Sequence, residues 1–354
     1  MRKPLLSRRD ILIGSGSLAA VAYARPLSAA APEASPITPA LIAAATKEGK
    51  VSFYTAMDIP VAERLAKAFE AKFAGIGVRV ERSGSERLYQ RIEQERASSI
   101  NAADVVNSAD AAHFVVWKRN DWLAPYLPDD VAQHFPADAR DPDGMFVTTR
   151  VWLSSLGYNT SLVSAEEAPK SFADLLDATW VGKIVKGHPG YSGTIMTATF
   201  QIVRELGWQY FEKLARQKVM QVQSSTDPPK KLALGERAVM ADGNDYNLIQ
   251  QIEAGGSVQV VYPTEGTPMI TGPTGIFRSA PNPNAARLFQ NWLHSAEAQQ
   301  LLVDFAAQHS LHALVKEKPG RRKLSDIKLM RDDPAGVEKA AEDIKSRYAQ
   351  LFKI

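Results

Sequence analysis

Val61, Leu65, Phe69 and Phe73 recur at a spacing of four, so residues 61–73 are predicted to form a helix with one buried side. Gly75 and Gly77 end it. Before it, residues 50–55 (Lys50, Val51, Ser52, Phe53, Tyr54, Thr55) are rich in β-branched and aromatic types and predict a strand. Residues 78–82 alternate around Val78 and Val80 and predict a second strand. A helix over residues 86–98 and a strand over 103–107 follow. The order strand–helix–strand–helix–strand is that of an α/β domain with a mainly parallel sheet flanked by helices. Ligands of such sheets bind where the strands' carboxyl ends and their loops gather.

The pattern repeats downstream. Residues 147–158 are extended, and residues 169–180 contain a helix. Strands are predicted at 182–187, 219–222, 237–241 and 257–262. Helices are predicted at 195–206 and 208–216, and another starts at 230–234. The tail is mostly helical, with 285–293 and 296–307 its best segments. Two α/β units joined by extended segments near 148–153 and 261–268 predict two lobes with a ligand cleft between them. Residues 31–150 and 268–354 would form lobe one, and 151–267 lobe two.

The N-terminus has a different character. Arg2, Lys3, Arg8 and Arg9 precede a short, mildly apolar run and then small residues at 22–24 and 28–30. This is a secretory signal over residues 1–30. Its run Ser7-Arg8-Arg9-Asp10-Ile11-Leu12 resembles the twin-arginine export motif. The signal places the mature chain in the periplasm. The glycines of residues 14–19 fit a dinucleotide fingerprint but follow no strand, so that reading is set aside.

Charge and composition narrow the picture. The chain holds 42 basic and 39 acidic residues; without residues 1–30 the balance is 37 against 38. A mature chain near neutrality lacks the basic footprint of a nucleic-acid binder. Apolar residues at 45% exclude a disordered chain. Cysteine is absent, which removes disulfides, thiolate metal sites, cysteine nucleophiles and a lipid-anchored N-terminal cysteine.

Several runs, in order, resemble one family. They are residues 103–110 (from Ala103-Asp104-Val105 to Ser108-Ala109-Asp110), Leu123-Ala124-Pro125-Tyr126, Gly157-Tyr158-Asn159-Thr160, residues 167–175, Trp180-Val181-Gly182-Lys183-Ile184, Tyr191-Ser192-Gly193-Thr194, residues 207–211, and residues 261–268. The chain resembles a periplasmic substrate-binding protein of an ABC importer, in the iron(III)-type branch of the type II binding fold, over about residues 48–310. The resemblance implies a receptor that takes a small solute and hands it to an inner-membrane permease, as a monomer without a cofactor. Family cargoes include ferric iron, phosphonates, sugar phosphates, thiamine and carboxylates. Ferric-binding members use two adjacent tyrosines; the matching position here is Asp245-Tyr246. That replaces one phenolate by a carboxylate and ranks a ferric site below an organic anion. If iron were bound, Tyr246 and Asp245 would be its ligands.

Ser192, Gly193 and Thr194 follow a predicted strand and open a predicted helix. Free N–H groups at a helix start favour an anion, two hydroxyls add donors, and Gly193 admits the ligand to the backbone. A plain N-cap is the competing reading. Thr55, Ser83 and Ser85 follow the first two strands and face the same cleft; ordinary turn chemistry is their alternative. Asp58 can accept from a hydroxyl or ammonium, or simply start a helix. Asp245 and Tyr246 fall in a loop after residues 237–241 and offer an acceptor and a phenol. Arg150, in the first crossing segment, is read as a solvated arginine before an anion partner. A hydrolase is the class alternative, but Gly190-Tyr191-Ser192-Gly193 ends in Thr194, one residue short of a nucleophile elbow.

Overall fold

The computed structural model describes residues 32–353, and the export signal expected at residues 1–30 lies outside them. The period-four pattern forms the helix Ile59–Lys72. Val61, Leu65, Phe69 and Phe73 are all buried. Phe69 meets the rings of Phe289 and Trp292 at 5.0 and 5.6 Å, on the helix Pro283–Leu293. Full burial of each such side chain contributes about 1.5–3 kcal/mol, which draws the tail back onto the N-terminal unit.

Two sheets carry the fold. In the first, Lys50–Thr55 pairs in parallel with Gly77–Arg82 and with Val105–Asn107. The long strand Thr267–Phe277 joins it antiparallel, beside Val105–Asn107, and also pairs with Val147–Leu153. In the second, Met220–Val222, Ile184–Gly187 and Val239–Met240 are parallel. Leu156–Asn159 and Val258–Val261 add to it antiparallel. Each parallel core therefore carries antiparallel additions, and these are the strands that take the chain between sheets. Val147–Leu153 leads through Ser154 and Ser155 into Leu156–Asn159, and Val258–Val261 leads back into Thr267–Phe277. The two crossings are tied together, since Ser154 N donates to Pro268 O at 2.9 Å.

The fold is the two-lobed α/β arrangement expected, with helices on both sheets. The tail, however, divides. Helices Pro283–Leu293 and Ala296–Asp304 enter the core of lobe one. The last helix, Pro334–Phe352, instead places Tyr348 in the core of lobe two, with Leu351 and Phe352 beside it. Its aromatic end finds its apolar partners there, while Val337 and Ile344 pack with Ala112 of lobe one, so the helix touches both lobes.

Candidate functional site

A cavity of about 320 Å³ lies between the lobes, at the carboxyl ends of strands from both sheets. Its wall includes Asp58, Ser85, Arg150, Ser192, Thr194 and Tyr246. That size suits a small molecule. A larger open groove of about 1160 Å³ crosses the outer face of lobe two, from Leu162 to Ala238. It is remote from the strand ends that gather the polar side chains, so the smaller cavity is the candidate site.

The floor of the cavity is Arg150. It lies in Val147–Leu153, a strand buried at every position, and is itself 2% exposed. Its guanidinium sits over the Trp152 ring at 4.5 Å and donates from Nη2 to Asn107 Oδ1 at 3.3 Å. Asn107 is held for this, because its amide nitrogen donates to Gly272 O, Pro273 O and Thr274 Oγ1. Gly272 pairs with Arg150 across the strands, and a Cβ there would lie 2.8 Å from Arg150 Cγ. Among the described residues no ion pair joins Arg150 to a carboxylate, and its Nε has no hydrogen-bond partner. Burial pulls its pKa below the usual arginine value, opposed by Tyr246 and Asp58. A buried, incompletely paired cation at a cavity floor is costly unless an anion joins it.

The walls are polar. Ser192 caps the helix Gly193–Leu206, its Oγ accepting from Ile195 N at 3.4 Å. Ser192 and Thr194 both face the cavity, so the cap and the anion-facing roles coincide at one helix start. Ser224, Ser225 and Thr226 add hydroxyls from the loop after Met220–Val222. Ser85 opens the helix Ser85–Ala97 and reaches the cavity from lobe one. Asp58 accepts from Tyr246 Oη at 3.3 Å and Asn247 Nδ2 at 3.4 Å, which joins the lobes across the cleft.

Four expected contacts sit elsewhere. Thr55 is fully buried; its hydroxyl donates to Asn107 Oδ1 and accepts from Met57 N. Ser83 is outside the cavity wall, its N–H bonded to Thr55 O. Gly193 approaches the other lobe rather than a ligand: a Cβ there would lie 2.5 Å from Asp110 Cβ and 3.1 Å from Ala109 O. Asp245 and Tyr246 open a helix, Asp245–Glu253, rather than lying in a loop, and they point apart. Asp245 turns to the crossing, where Oδ1 accepts from Leu153 N at 3.0 Å and Oδ2 from Tyr262 Oη at 3.4 Å. Only Tyr246 faces the cavity. Burial, then the charge of Asp58, raises its phenol well above the ordinary value. Arg150, in contrast, belongs to the site and not to solvent. The signal for it was a charge inside Val147-Thr148-Thr149-Arg150-Val151-Trp152-Leu153, a run with the β-branched and aromatic make-up of a strand buried on both faces.

Glu86 lines the cavity too. With Asp110 and His113 it brings three possible ligand atoms within 4.8 Å of one another. His113 Nε2 is 3.2 Å from Glu86, and Lys345 Nζ is 3.5 Å from it. Burial opposes a proton on His113, but Asp110 and Glu86 outweigh it and raise the imidazole. The group is an ion-pair network whose cations are side chains.

Below the site, His309 pairs by backbone with Val151 and contacts Glu317 at 2.9 Å and Asp245 at 3.9 Å. Burial disfavours its charge, but the two carboxylates raise its pKa from 6.5 to about 9. The charged ring therefore supports the fold fully below pH 6.5, and that support is lost as pH climbs through about 9. The contribution is about 3 kcal/mol. Urea midpoints should fall across this window in the wild type and less in His309→Gln; equal slopes would contradict the pairing.

A polar cavity between two lobes, joined by strands that cross twice, is the arrangement of a ligand-binding protein. The family model described as bacterial extracellular solute-binding protein matches residues 57–300, and the chain belongs to that family. A probable ABC transporter periplasmic-binding protein, y4fP of Sinorhizobium fredii, is 24% identical over 241 residues, 65% of this chain and 66% of that one. An uncharacterized protein of Haemophilus influenzae is 24% identical over 278 residues, 74% and 78% of the two chains. Among solved structures, the periplasmic binding protein AfuA of Actinobacillus pleuropneumoniae, with fructose-6-phosphate bound, superposes with a TM-score of 0.79 at 22% identity, covering 87% of this chain and 99% of that one. Iron-bound HitA of Pseudomonas aeruginosa gives 0.74 at 20% identity, covering 85% and 99%. These likenesses support the type II binding fold. Among the described residues no helix is long and apolar enough to cross a membrane.

Proposed function

We propose that the protein is a periplasmic receptor that captures a small anionic solute, a phosphonate, phosphate ester or carboxylate, and delivers it to an inner-membrane permease. The observation that carries this reading is Arg150: a guanidinium buried at the cavity floor without a carboxylate partner. The Gly193–Leu206 helix start and the hydroxyls of Ser192, Thr194 and Ser225 supply further donors around the same space. Asp58 and Asn244 give the far wall an acceptor and an amide for hydroxyl or ammonium groups of the solute. The protein acts as a monomer, without a cofactor, after export on the twin-arginine signal. It binds its solute and does not turn it over.

The test is mass spectrometry of solute co-purified from its native host, followed by calorimetric titration against a panel of phosphate esters, phosphonates and carboxylates. An anion that raises the melting temperature and is recovered unchanged supports the proposal. A neutral solute bound tightly, or turnover, sinks it.

The ferric reading loses ground on geometry, since Asp245 faces the crossing and leaves Tyr246 without its sequence neighbour at the cavity. Ferric citrate added to the purified protein should give no intense phenolate-to-iron absorption band. A strong band that disappears in Tyr246→Phe would restore iron as the cargo.

A further inference from the structure

The last helix, Pro334–Phe352, starts at a lobe crossing and ends in the core of lobe two. Asp333 caps it, accepting from Gly336 N at 2.9 Å. Asp332, just before it, accepts from Thr271 Oγ1 on the crossing strand Thr267–Phe277. From there the helix packs against both lobes. On lobe two it is held by buried aromatic contact. Tyr348 is fully buried, lies 5.9 Å from Phe211, and donates to Gln221 Oε1 at 2.9 Å. Arg347 covers Trp208 at 4.6 Å and pairs with Glu212.

On lobe one the attachment is mostly through ion pairs and involves no buried ring. Arg119 donates twice to Glu338 at 3.1 Å, and Lys345 reaches Glu86 at 3.5 Å. Val337 and Ile344 share one small cluster with Ala112 of lobe one and Met196 of lobe two. Partly exposed ion pairs of this kind are individually weak, whereas a buried tyrosine is expensive to withdraw. When the lobes part, the helix must therefore stay with lobe two and let go of lobe one.

We propose that helix Pro334–Phe352 is a strap fixed to lobe two, whose ion pairs from Glu338 to Arg119 and from Lys345 to Glu86 bias the empty receptor toward its closed form. Lys345 is then a positioning residue: it acts on the cavity through Glu86, which lines the wall. The inference rests on the reading of the chain as a receptor that opens and closes, but not on the nature of its solute.

The chain has no cysteine, so labels can be placed without background. Ile100→Cys in lobe one and Leu162→Cys in lobe two, both exposed, would carry spin labels. Distances are measured on ligand-free full-length protein by pulsed electron resonance. Lys345→Met with Glu338→Gln should raise the ratio of open to closed distances by about tenfold, with unchanged circular dichroism. The charge swap Arg119→Glu with Glu338→Arg, which breaks and remakes one pair, should keep the wild-type distribution. Arg119→Gln alone should move it in the same direction as the double variant, by less. An unchanged distribution in the double variant and in Arg119→Gln overturns the strap. Because no solute is present, that result would leave the anion reading standing; a wild-type cavity that binds no anion would fail that reading and leave the strap untouched.

Discussion

Replacing Arg150 by methionine should lower affinity for the solute by about 1000-fold while leaving the empty protein folded. Charge-assisted hydrogen bonds contribute roughly 1.5–3 kcal/mol each, and a guanidinium makes two of them to an oxyanion in parallel. The loss of such a pair is worth about 4 kcal/mol, or three decades in Kd. Stability moves differently. Arg150 is buried against Trp152 with one nitrogen unpartnered. An apolar side chain of similar length removes a buried charge, and such exchanges are often neutral or stabilising. Calorimetric titration with the solute recovered from the native protein measures the first effect, and thermal melts without it the second. A loss of only a few-fold would show that the anion sits elsewhere. A large fall in the ligand-free melting temperature would make Arg150 a structural residue.

Gly193→Val should also impair binding, by a different route. The residue is not itself part of the cavity wall, yet a Cβ on it would meet Asp110 Cβ at 2.5 Å and the Ala109 carbonyl oxygen at 3.1 Å. Both belong to the opposite lobe. One of these contacts is to backbone, so no side-chain rotation relieves it, and the lobes must separate. Apparent affinity falls in proportion to the closed fraction. A variant held open loses at least two decades, about 100-fold or more, since a few kcal/mol of clash acts only on the closed form. Within its own lobe the substitution falls at the first helical position and disturbs little. The check is small-angle scattering beside titration: an expanded, folded, weakly binding protein is expected. Full affinity in Gly193→Val would mean that the contact at Asp110 yields.

The two residues also mark what could be read from the chain. The βαβ order was visible because Val61, Leu65, Phe69 and Phe73 advertise their buried side locally. Ser192 and Thr194 were visible for the same reason, as hydroxyls flanking a glycine at a helix start. Arg150 was not, because its burial depends on Asn107, Gly272 and Tyr246, which lie 43 to 122 positions away in sequence. Gly193 signals a close approach but not its partner: a glycine shows that something comes close, not what. Asp245 and Tyr246 are neighbours whose side chains serve a crossing and a cavity, and adjacency in sequence argued for a shared task. Asn244 ahead of Leu248 and Ile252 carried the helix-start signal that separates them. The strap was hidden for the reason Arg150 was, since a lobe-spanning helix looks like any amphipathic tail.

The interrupted course of lobe one also bears on how the protein assembles. Its sheet places Thr267–Phe277 beside Val105–Asn107, although more than 150 residues of chain separate them. Lobe two, by contrast, draws its whole sheet from one continuous stretch, Leu156–Asn159 to Val258–Val261. During synthesis the first-made unit therefore waits with a strand edge unpaired, while the second has all its strands in hand. Unpaired edges and long-range pairings are where slow folding and aggregation begin. The N-terminal part of this receptor is thus first to be made yet waits for a strand synthesised more than 150 residues later, and residues 50–150 are the segment a chaperone would need to shield.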